Sequence, residues 1–85
     1  MTVTIKYFAW LRERVGKPSE EIALPAGVTT LAELVTHLRT KGEEYDYAFS
    51  TPGVVRAALD KRHAPLEAVI GQAREIAFFP PMTGG

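Results

Sequence analysis

One amphipathic helix set between alternating segments restricts this chain to very few folds. Thr30 and Glu33 stand three apart in a capping-box pattern, where each side chain can bond the other residue's backbone N–H. Leu31, Leu34, Val35 and Leu38 follow at helical spacing, which gives the run a single apolar stripe. Arg39 and Lys41 complement the dipole in the last turn, and Gly42 is expected to stop the helix. Glu33, Thr36, His37 and Thr40 fall on the polar side. A helix with one apolar stripe must cover something, and the flanking segments supply it.

Residues 2–9 alternate, with Val3, Ile5 and Tyr7 on one side and Thr4, Lys6 and Phe8 on the other, as in a half-buried strand. A short helix is expected over 10–15, burying Leu11 and Val15 and closed by Gly16. Lys17-Pro18-Ser19 turns the chain into a second strand over 20–24, with Ile22 and Leu24 inward, paired hairpin-like with the first. Beyond the main helix, residues 45–49 suggest a helical turn and Thr51-Pro52-Gly53 a break. Residues 54–60 alternate with Val55, Ala57 and Leu59 inward, and 61–73 are irregular, with a short edge strand around Pro65-Leu66. Residues 75–79 form the last strand, Ile76 and Phe78 inward, Ala77 and Phe79 outward.

Within 85 residues this order predicts an α+β roll, one principal helix packed on a mixed sheet. A helical crossover leaves the first and last strands free to lie side by side in parallel. That arrangement is ubiquitin-like, a β-grasp. The expected division is a domain over residues 1–79 and a flexible, extended tail over residues 80–85.

Composition removes several classes of function. Ten basic and ten acidic residues balance, so bulk charge favours neither nucleic acid nor an acidic membrane surface. No apolar run approaches the roughly 20 residues of a membrane span, and no basic stretch followed by an apolar one opens the chain, so the expected location is cytoplasmic. There is no cysteine, which excludes disulfides, thiolate zinc sites and a cysteine nucleophile. His37 and His63 read as surface histidines, Glu20-Glu21 and Glu43-Glu44 as solvated charge, and the glycines form no phosphate-binding motif. Neither a bound cofactor nor a metal is expected, and the chain lacks the makings of a self-sufficient catalyst.

The residues that remain are Phe8, Phe79 and the string Phe78-Phe79-Pro80-Pro81-Met82-Thr83-Gly84-Gly85. Phe8 and Phe79 both fall on the outward side of their strands. With those strands adjacent, the rings would share an exposed apolar patch of the kind that marks partner surfaces. A register shift at a bulge, or helices covering that side, would bury them instead, and alternation leaves both open. Pro80 and Pro81 favour an extended stalk, and residues 82–85 are expected to stay mobile until bound. Gly84 and Gly85 carry no side chain, so a terminal Gly85 carboxylate could enter a narrow channel with its acyl carbon open to attack. Fully extended, residues 80–85 reach roughly 20 Å.

Tyr7-Phe8-Ala9-Trp10-Leu11-Arg12-Glu13, the helix start Thr30-Leu31-Ala32-Glu33-Leu34, and the segment from Glu75 through the Gly84-Gly85 ending resemble the small-subunit family of molybdopterin synthase, MoaD. The resemblance spans nearly the whole chain. It implies a β-grasp sulfur carrier that is no enzyme on its own. It implies adenylation of Gly85 by an ATP-dependent activating enzyme of the MoeB family, replacement of AMP by sulfur to give a thiocarboxylate, and donation to cyclic pyranopterin monophosphate to build the molybdopterin dithiolene. It further implies that Phe8, Phe79, Pro80, Pro81, Met82 and Thr83 meet a large subunit of the MoaE family, two small subunits flanking a dimer of large ones. The chain departs from the family where Ala73-Arg74 replaces Gly-Asp, where Leu59-Asp60-Lys61 replaces an Asn-containing segment, and where His63 takes an apolar interface position. A carrier for thiamine, cysteine or tRNA sulfuration, a ubiquitin-like modifier and a plain binding module are the alternative readings.

Overall fold

The structure, a computed structural model, describes residues 2–50 and 54–81. Five strands and three helices follow one another as β1 (Thr2–Tyr7), α1 (Ala9–Val15), β2 (Ser19–Ala23), α2 (Leu31–Arg39), α3 (Glu43–Ala48), β3 (Arg56–Leu59), β4 (Arg62–Ala64) and β5 (Glu75–Phe79). They build one mixed sheet in the order β2-β1-β5-β3-β4. β1 and β5 are parallel at its centre, with Ile5 opposite Ile76 and Tyr7 opposite Phe78, as the crossover argument requires. β2 pairs antiparallel with β1, and β3 joins β5 to β4 by two antiparallel ladders.

The expected capping box forms in full. Glu33 N–H donates to Thr30 Oγ1 at 3.1 Å, and Glu33 Oε1 accepts from Thr30 N–H at 2.9 Å. Thr29 adds its own N–H and hydroxyl, each 2.8 Å from the same carboxylate oxygen. The Thr29 bonds, then that of Thr30, hold the Glu33 carboxyl at about 2. α2 packs Leu31, Leu34 and Leu38 against the sheet, all fully buried. The helix ends at Thr40, and Gly42 instead caps the start of α3, one short step later than its expected role. Gly16 does close α1, at φ 91°, a left-handed turn that an L side chain resists.

The core joins Val3, Ile5 and Tyr7 of β1 to Ile76 and Phe78 of β5 beneath α1, α2 and α3. Phe78 sits among aromatic rings, 5.2 Å from Phe49 edge to face and 6.5 Å from Tyr7. The edge strand lies at 62–64, a few residues before the expected position. Pro65 cannot donate to a ladder, and β4 stops just before it. The turn expected at Thr51-Pro52-Gly53 and the mobility expected of residues 82–85 fall outside the described residues.

Glu20 is not the solvated charge its neighbour Glu21 suggested. It is half-buried at the start of β2 and accepts from the hydroxyls of Tyr7 (2.8 Å) and Tyr45 (2.7 Å), with Lys41 at 3.1 Å and Lys17 at 3.4 Å. Burial pushes this carboxyl up, but the bonds from Tyr45, Tyr7 and Lys41 outweigh it and bring the group down to about 2. Burial first, then the bond to Glu20, raises both tyrosines. A carboxyl lowered in the folded state stabilises above its unfolded value near 4.5 and loses that contribution as pH falls towards 2. Acid unfolding should therefore steepen in that window. Glu20→Gln, which cannot titrate, should flatten the slope, removing on the order of 1–2 kcal/mol of the stability otherwise lost across that window once screening of the partly exposed lysines is allowed for. Urea unfolding at stepped pH reads this directly, and an unchanged slope would assign the acid sensitivity elsewhere.

Candidate functional site

The face of the sheet turned away from the helices is built by register. Lys6, Ala77, Ala58 and His63 lie abreast across β1, β5, β3 and β4. The two alanines are nearly covered, 8% and 6% exposed, and form a small-residue floor at the middle of the face. Beside this row stand Phe8 and Phe79, so the two rings the alternation placed outward do share one surface.

Phe8 is fixed there by its backbone. Its N–H donates to the Phe78 carbonyl at 3.1 Å, prolonging the β1–β5 ladder by one bond, while its own carbonyl accepts from Leu11 and Arg12 at the start of α1. Ala9, at φ 53°, turns the chain abruptly from strand to helix. Caught between ladder and helix, Phe8 remains 44% exposed, large for a phenylalanine with a core available one residue away. Phe79 ends β5, half-buried, its ring 5.1 Å from that of His63. Pro80 and Pro81 continue along the same face.

Together these residues line an open groove of about 810 Å³. Its apolar part is Phe8, Ala9, Ala77, Phe79 and the two prolines. Lys6, Lys61, His63 and Glu75 form its polar margin, and Lys6 meets Glu75 at 3.2 Å. The β3–β4 turn that carries Lys61 is a two-residue turn with Asp60 at φ 47° and Lys61 at φ 73°. Asp60 Oδ1 accepts from the N–H groups of Arg74 and Glu75, both at 3.0 Å, and so ties this turn to the start of β5. Both segments flagged in the sequence as departures thus bond to each other. Such a face offers hydrophobic contact and a few charges, with no paired base and nucleophile; its chemistry is binding.

Of the site residues expected from sequence, the structure brings Phe8, Phe79, Pro80 and Pro81 together in the groove. Met82, Thr83, Gly84 and Gly85 lie outside the described residues. Sequence reasoning missed Lys61 as a groove residue, because β4 spans only three residues and too short a run shows no alternation, and reached His63 only through the family resemblance. The Asp60-Lys61 pair was the available signal, since two polar residues between short alternating runs mark a hairpin. Among the described residues no group of three or more His, Asp or Glu is placed to hold a metal, and no helix is long and apolar enough to cross a membrane.

Fold and face define a ubiquitin-like β-grasp protein whose last strand runs out beside an open apolar groove. Residues 5–85 match the ThiS family. The molybdopterin synthase sulfur carrier subunit of Haemophilus influenzae is 34% identical over 98% of this chain and 99% of its own length. Among solved structures, a putative molybdopterin converting factor subunit 1 from Pyrococcus furiosus shares 25% identity, with a TM-score of 0.73 over 96% of this chain and 99% of that one. The fold also recurs, at 22% identity and a TM-score of 0.62 over the full length of both chains, in the complex of subunits 1 and 2 of molybdopterin-converting factor from Helicobacter pylori. The chain belongs to the ThiS family, among the molybdopterin synthase sulfur carrier subunits.

Proposed function

We infer that this chain is the sulfur carrier subunit of a molybdopterin synthase, a non-catalytic subunit that brings sulfur to a larger partner. The observation that carries the reading is the groove of Phe8 and Phe79 at the root of a Pro80-Pro81 stalk, in a chain whose family match runs on to residue 85. Recognition rests on the domain and chemistry on the tail.

A carboxylate is anionic at neutral pH and a poor electrophile. Gly85 is therefore activated in trans: an ATP-dependent adenylyltransferase of the MoeB kind joins its carboxylate to AMP, with release of pyrophosphate. A sulfur donor then displaces AMP and leaves a thiocarboxylate on the same carbon. Glycine at 84 and 85 keeps that carbon unhindered and the tail slender enough for the large subunit's site. There the thiocarboxylate gives its sulfur to cyclic pyranopterin monophosphate and returns as carboxylate; two such donations complete the dithiolene. The absence of cysteine is no obstacle, because sulfur never rides on a side chain. The work belongs in the cytoplasm, with ATP consumed by the activating partner and no cofactor held by this chain.

Docking on a large subunit of the MoaE kind is the part the groove speaks to. Phe79→Ala should weaken the complex by about thirtyfold or more, the usual cost of truncating an aromatic anchor at an interface. The isolated domain should lose far less, because the ring covers the outer face and not the core. Calorimetric titration of the large subunit with this chain checks it; equal losses of affinity and stability would remove the groove from the docking role.

A further inference from the structure

Lys61 occupies a backbone conformation that a long side chain adopts at a cost. At φ 73° it is the second central residue of the β3–β4 turn, where glycine is the favoured occupant. Asp60, at φ 47°, shares the left-handed state, but its carboxylate anchors the turn to Arg74 and Glu75. The turn needs a left-handed residue at 61 but not a lysine, since glycine would close it without strain. Among the described residues its ammonium makes neither an ion pair nor a hydrogen bond. A strained lysine where glycine would serve the turn points towards function.

Its surroundings say which function. Glu75, the acid that lines the groove, is already engaged by Lys6 at 3.2 Å. Lys61 therefore stands at the margin of an apolar groove without an ion-pair partner among the described residues, with His63 on the same margin. An apolar surface closing over them would strip water from the ammonium and return nothing. A surface bearing a carboxylate at that corner would gain the ion pair and a bond from the imidazole as well.

We propose that the partner surface seated on this groove sets a carboxylate against Lys61 and His63 beside the apolar group that covers Phe79, with Lys61 as a specificity-determining residue of the docking face. This rests on the reading of the groove as the large subunit's docking face.

Stopped-flow association of the intact chain with its large subunit, over a range of salt, tests it. Association of the unsubstituted chain should slow as salt rises. Lys61→Met should slow it several-fold at low salt and flatten the salt dependence, and Lys61→Glu should slow it by about tenfold or more, the difference vanishing near about 0.5 M salt. Lys61→Gly should relieve the left-handed strain and raise the unfolding midpoint while associating as slowly as Lys61→Met, which separates charge from folding. Wild-type rates and salt dependence in Lys61→Glu, with Phe79→Ala still weakened, would overturn the acidic partner and leave the docking face standing. Wild-type association in both variants would overturn the docking face and the proposal with it.

Discussion

Removal of Gly84 and Gly85 is expected to abolish sulfur transfer to the large subunit while leaving the unfolding transition where it was. Among the described residues the core's most C-terminal member is Phe78, and every strand of the sheet lies before residue 80. Among those residues, the ladders of β5 end at Phe79. The proposed chemistry, in contrast, depends on the two glycines: with no cysteine side chain to carry it, sulfur is proposed to ride on the acyl carbon of Gly85. A chain ending at Thr83 would present a branched residue at the point of attack and a stalk shortened by roughly 7 Å, two extended residues. A loss of at least 10³-fold in molybdopterin formation corresponds to about 4 kcal/mol of the barrier. Thermal unfolding and molybdopterin formation measured on the same preparation decide it. Activity retained by the shortened chain would show that sulfur travels elsewhere.

Adjacent residues of β5 should behave as opposites. Phe78 is fully buried against Phe49 and Tyr7, whereas Phe79 faces the groove beside His63. Phe78→Ala removes the larger part of a core ring and leaves a cavity that the rigid sheet cannot close. The expected loss is about 3–5 kcal/mol. For a domain of this size, whose whole stability is on the order of 5–10 kcal/mol, that is a large share. The urea midpoint should fall steeply with the slope unchanged, as for a two-state domain losing stability and not compactness. Phe79→Ala should move the midpoint little. A similar shift in both variants would mean that the two faces of β5 are not divided between folding and recognition.

The inward positions were legible in the sequence because β1 alternates strictly over six residues, and β5 places Ile76 and Phe78 inward, although its Ala77 between them is covered as well. In β1 two residue sets of opposite character at a period of two say which side meets a helix. The capping box was equally plain, since Thr30 and Glu33 satisfy each other by local geometry alone. What stayed hidden depends on distant partners. Glu20 looked solvated beside Glu21, and only the approach of Tyr45 from α3, 25 residues on, converts it to the acceptor of a half-buried network. The same holds for Ala58 and Ala77, which face outward yet are covered, because neighbouring strands crowd small side chains at the middle of a sheet. His63 was marked only by the family resemblance and by no pattern of its own. It joins Phe79 because β4 folds back over β3, a consequence of the Asp60-Lys61 turn.

The central claim is that sulfur is carried as a thiocarboxylate on Gly85, and intact-mass spectrometry tests it most directly. The chain is incubated with an activating enzyme of the MoeB kind, ATP and a sulfur source, then weighed whole and after fragmentation. Exchange of one oxygen for sulfur should add about 16 Da, confined to the fragment that contains Gly85 and dependent on ATP. A mass that does not change under these conditions, or a gain that maps to any other residue, would contradict the account.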